Sequence, residues 1–204
     1  MRKYGKVVVA LWMVVACVFS VVSCRKDQDT DKPTETLSYE GIVIADCVRL
    51  GAYEGLTVTL GDTDKGTAIW AAVQEGSEIV HYPEDAVAYY VAQAEARCKY
   101  YAKEHGVSEE EAMTALETSR EQMETDAKRL VADDLIVRAV IADAGISLTE
   151  DEKTRLFDKY ADKYVADFGY DREYVKENLS DLVYESMLYD KTTEYLILHN
   201  TFVD

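Results

Sequence analysis

Proline occurs only twice in the 204 residues and glycine ten times. That scarcity argues against a turn-rich all-β architecture and leaves room for long, uninterrupted helices. Histidine is equally sparse: His81, His105 and His199 lie far apart, and the four cysteines are also dispersed. Neither set has the spacing of a zinc cage. Basic side chains are short as well, with 22 Lys and Arg against 39 Asp and Glu, a net charge of -17. A body this acidic repels phosphate backbones, which argues against nucleic acid as a partner. What the chain does have is 48% apolar residues, enough to build a core in one or two domains.

The apolar content is uneven. Arg2, Lys3 and Lys6 precede a mostly apolar run, VVVALWMVVACVFSVV, from Val7 to Val22, and Val21-Val22-Ser23-Cys24 follows. A basic start, an apolar stretch and a small-residue cleavage site compose a secretory signal over residues 1–23. The last four residues resemble the bacterial lipobox. That resemblance implies cleavage before Cys24, diacylglycerol on its thiol, and a body anchored by lipid on the extracytoplasmic face of a cell membrane. An uncleaved membrane helix is the competing account, but a 16-residue run falls short of the roughly 20 needed to span. Cleavage would remove three basic side chains and no acidic ones, leaving 19 against 39, a net charge of -20. Residues 24–38 hold only Leu37 as a large apolar side chain and read as a flexible acidic spacer.

Two cysteines, Cys47 and Cys98, remain beyond the spacer. Cys98 falls on an apolar helix stripe, where a free thiol behaves as a small hydrophobe. Buried thiols are favoured over a disulfide. Residues 39–64 read as a short β segment: YEGIVIADCV carries β-branched residues, and LTVTL at 56–60 alternates. Asp62, Asp64 and Gly66 lack the further ligands of a calcium loop and read as a turn.

Residues 65–204 read as helical, giving a mainly α fold. A short helix over 68–74 is followed by an extended segment at 78–82. Pro83 then opens a helix to about Lys103, some 32 Å at 1.5 Å per residue. Val87, Tyr90, Val91, Ala94, Cys98 and Tyr101 form its main stripe, and Gly106 suits its C-terminal cap. Capping boxes at Ser108/Glu111, Ser119/Gln122 and Thr149/Glu152 open further helices, with a break expected near Thr118. Gly145 and Gly169 close two of them. Asp171 is expected to cap one last helix running to about His199.

Several of these segments, in this order, are similar to a known family. AIWAAVQEGSEIVHYPEDAVAYYVAQ, VSEEEAM, TSREQMETDAKRLVADDLIVRAVIADAGISLTEDE and FGYDREYVKENLSDLVYESMLYDKTTEYLILHN resemble successive parts of the trigger factor C-terminal chaperone domain. LGAYEGLTV resembles the segment that leads, in that family, towards the prolyl isomerase domain. The resemblance spans roughly residues 48–200. It implies helical arms and a chaperone that binds unfolded or newly secreted proteins without ATP, metal or other cofactor. Only seven residues separate Leu60 from Ala68, where the family inserts its isomerase domain, and no ribosome-docking loop is present. The implied protein is therefore a membrane-anchored holdase without isomerase activity. A scaffold module for one specific protein partner is the alternative.

A holdase needs apolar surface that water can reach. Tyr89 and Tyr100, three helical turns apart with Ala92 and Ala96 between, are candidates for client contact on a second face of the long helix. Tyr184, Leu188 and Tyr195 repeat the pattern on the last helix. Met113, Met123 and Met187 would add deformable surface. A helix apolar on two faces also fits a central position in a bundle. No enzyme is indicated: Asp133-Asp134 and Glu109-Glu110-Glu111 read as solvated charge runs, and the three histidines as surface or satisfied residues.

Overall fold

The computed structural model describes residue 39 and residues 41–204. The expected signal segment, Cys24 and the spacer lie outside the described residues. In chain order the elements are α1 (Ile44–Cys47), β1 (Val48–Arg49), β2 (Thr57–Thr59), α2 (Lys65–Gly76), β3 (Glu78–Ile79), α3 (Glu84–His105), α4 (Glu109–Ala115), α5 (Arg120–Asp143), α6 (Glu150–Phe168), α7 (Arg172–Asn178), α8 (Ser180–Leu198) and β4 (Thr201–Val203). The fold is mainly α with a few very short strands.

Local sequence signals set most helix ends. Asp64 caps α2: its carboxylate accepts from the Thr67 amide at 3.0 Å and the Thr67 hydroxyl at 2.6 Å. Those hydrogen bonds hold its pKa below the ordinary value. Of the turn expected from Asp62, Asp64 and Gly66, Gly66 already belongs to α2, and the chain turns at 61–63, where the Thr63 amide donates to the Leu60 carbonyl. Ser108 with Glu111, and Thr149 with Glu152, close reciprocal capping boxes on α4 and α6. Ser119 accepts from the Gln122 amide at 3.1 Å, and Glu117, with φ of 52°, turns the chain between α4 and α5. Gly106 and Gly169 end α3 and α6 in the left-handed region, where a side chain would be strained.

Three expectations are corrected. Residues 42–44, read as strand from their β-branched side chains, instead lead into the single turn α1, and pairing begins only at Val48. The strand available there, β3, is two residues long, so β-propensity finds nothing further to pair with. The expected single last helix is two, α7 and α8, separated at Leu179 (φ -123°, ψ 13°). A fourth strand, β4, was not anticipated.

The described chain divides into two compact units. One comprises Leu50–Glu78 and Val137–Asp204. Its β2 and β4 pair in parallel, Thr57 opposite Thr201 and Thr59 opposite Val203. The Tyr53 carbonyl and Leu56 amide are both held by the Asn200 side chain, at 2.9 and 2.7 Å. Helix α2 packs on α8. Trp70, fully buried, stacks on Tyr189 at 5.5 Å between ring centres and donates its indole N–H to the Thr193 hydroxyl at 2.8 Å. A second cluster joins α6, α7 and α8 through Tyr160, Ala161, Val175, Leu179, Val183 and Met187. Gly51 lies against the end of α2. A β-carbon there would fall on the Gly76 carbonyl oxygen and 2.6 Å from its carbon.

The other unit comprises the described residues up to Arg49 together with Ile79–Ile136. The Val80 and His81 amides both donate to the Cys47 carbonyl, extending the β1–β3 pair. Helix α3 packs on α4. Met123, Ala127, Val131, Leu135 and Ile136 of α5 are buried. Cys47 and Cys98 are free, buried thiols, and desolvation raises the pKa of both.

Candidate functional site: the tyrosine face of the long helix

Helix α3 has 22 residues, a length of about 33 Å. Glu84 and Asp85 sit in its first turn and Lys103 in its last, each sign matching the helix dipole. Pro83 stands at the N-cap with extended backbone rather than at the first helical position.

Its burial differs from the expected stripe. Only Ala86, Cys98 and Ala102 are buried, all small side chains. Of the stripe read from the sequence, Cys98 alone is buried, whereas Val87, Tyr90, Val91, Ala94 and Tyr101 are half-buried. The buried positions thus hold small residues, and the bulky rings lie on the flanks. Tyr89 is half-buried and Tyr100 exposed. Eleven residues apart, they lie about 16 Å from each other on one face, with exposed Ala92 and half-buried Ala96 as the low ground between them. Tyr89 meets Tyr90 edge-on at 5.3 Å, and Tyr101 lies over His105 at 4.1 Å. Rings held this way lose little rotational freedom on binding a partner.

Tyr90 and Tyr101 were not singled out as contact residues in the sequence. The signal was present: two adjacent tyrosine pairs, 89–90 and 100–101, repeat at a three-turn interval. In the same unit Met113 is half-buried on α4 and Val107 is exposed. Met123 is only 4% exposed and offers no surface.

In the first-described unit, Tyr184 is half-buried against the α6–α8 cluster, edge-on to Phe157 at 5.5 Å and beneath Lys153. Leu188 is half-buried. Tyr195 donates its hydroxyl to Glu54 and stacks on His199 at 4.0 Å. That hydrogen bond raises its pKa. The two tyrosine rings are thus tied to neighbours of the same unit. Met187, expected at the surface, is 2% exposed in the cluster. Of the eight named side chains, Met123 and Met187 are buried and form no part of a surface.

The charges offer little chemistry. His81, His105 and His199 are exposed on separate segments. Among the described residues no group of three His, Cys, Asp or Glu is placed to hold a metal ion. Asp133 of α5 stands apart: burial raises its pKa to about 6, against the opposing pull of Arg129 at 3.7 Å.

Neither a search of curated proteins nor one of solved structures gives a match. A profile of the bacterial trigger factor protein C-terminus matches residues 62–197, two thirds of the chain. With that match over all of α2 to α7 and nearly all of α8, the chain belongs to the trigger factor C-terminus family, a chaperone-like module that binds unfolded proteins.

Proposed function

We propose that the protein is a lipid-anchored, extracytoplasmic holdase that shields unfolded secreted chains without ATP, metal or prolyl isomerase activity. The observation that carries this reading is the burial pattern of α3, in which small residues face inward while Tyr89, Tyr90, Tyr100 and Tyr101 remain within reach of solvent. A tyrosine ring supplies large contact area with a polar tip, so such a face binds apolar segments yet stays soluble. The net charge of -20 left after cleavage adds colloidal stability to a body that must carry sticky clients. The basic start, apolar run and Cys24 support export and lipidation.

The soluble form, residues 25–204, mixed with a refolding client should suppress light scattering at several-fold excess. Absence of suppression removes the proposal. Replacing Tyr89 and Tyr100 together by serine should weaken suppression while helical circular dichroism is retained. Full activity in that variant moves the client site off this face. For the anchor, radiolabelled fatty acid should enter the full chain and not its Cys24→Ser variant. Equal labelling would refute lipidation at Cys24.

A further inference from the structure

We draw no further inference here: the strongest candidate, the surface patch where Leu198 at the end of α8 is 80% exposed and Val203 of β4 is also exposed, is an apolar surface on which nothing in the structure shows what covers it.

Discussion

Asp133 offers a quantitative test of the packing around α5. Burial raises its pKa from 3.8 to about 6. An acid shifted upward favours the folded state while it is protonated. That contribution is complete below pH 3.8 and is lost as pH rises through about 6. Above pH 7 the folded chain therefore carries the whole cost of a poorly solvated carboxylate. A rise of that size corresponds to roughly 3 kcal/mol, since each tenfold change in proton affinity is worth about 1.36 kcal/mol. Replacing Asp133 by asparagine removes that cost, which is already net of the opposing pull of Arg129. The expected gain at pH 8 is about 3 kcal/mol, or roughly 6–12 °C in the melting temperature of a chain this size. Near pH 4 most of the gain should be lost, because the wild-type carboxyl is then protonated in the folded state and about half protonated in the unfolded one. Thermal melts followed by circular dichroism at 222 nm, for both proteins at pH 8 and pH 4, make the comparison. A variant no more stable than wild type at pH 8, or equally stabilised at both pH values, would refute the argument.

Other substitutions probe the other unit. Gly51→Ala drives a methyl group into the Gly76 backbone, which is not the flexible end of a side chain. The expected loss is about 3 kcal/mol or more, read as a lowered urea midpoint. Trp70→Phe removes the indole hydrogen bond to Thr193 and part of a fully buried ring. It should cost about 1–3 kcal/mol by the same measurement. Since Trp12 lies within the expected signal segment, Trp70 is the sole tryptophan of residues 25–204, and its emission should be blue-shifted until that unit unfolds. Glu152 is held at a pKa of about 2 by Lys191, which bridges to it at 2.7 Å, and by the Thr149 cap. Its contribution to stability is present above pH 4.5 and is lost as pH falls towards 2. Lys191→Met should therefore lower stability at pH 7 and flatten the acid end of the stability profile. An unchanged acid limb would show that the Lys191 contact contributes nothing to that dependence.

Helix ends were legible because their determinants are local. Ser108, Ser119, Thr149, Asp171, Gly106 and Gly169 each act within four residues, and the structure uses each as a cap or stop. The break at Leu179 was hidden because Val175, Leu179 and Val183 keep a four-residue step across it and all face the same cluster. Periodicity records the face, not the continuity of the backbone. Strand β4 was illegible for another reason: three residues carry almost no pattern, and their partner lies 144 positions earlier. On α3 the apolar residues surround most of the helix, so hydrophobicity alone did not choose the inward side. Ala86, Cys98 and Ala102 face inward, while the equally small Ala88 and Ala92 are exposed, so residue size did not mark the side either. Methionine is comparably ambiguous, and Met123 and Met187 proved interior while Met113 is half-buried.

The parallel pairing of β2 with β4 imposes a schedule on biosynthesis. Leu56 leaves the ribosome well over a hundred residues before Asn200, whose side-chain oxygen its amide needs. Closing so long a loop is slow, whereas the contacts of α3 with α4 are local and need no wait. Helices α3 and α4 can therefore be in place, tyrosines outward, while the unit that starts at Leu50 still lacks its closing strand. During that interval the unit built from Leu50–Glu78 and Val137–Asp204 is itself an incompletely folded polypeptide.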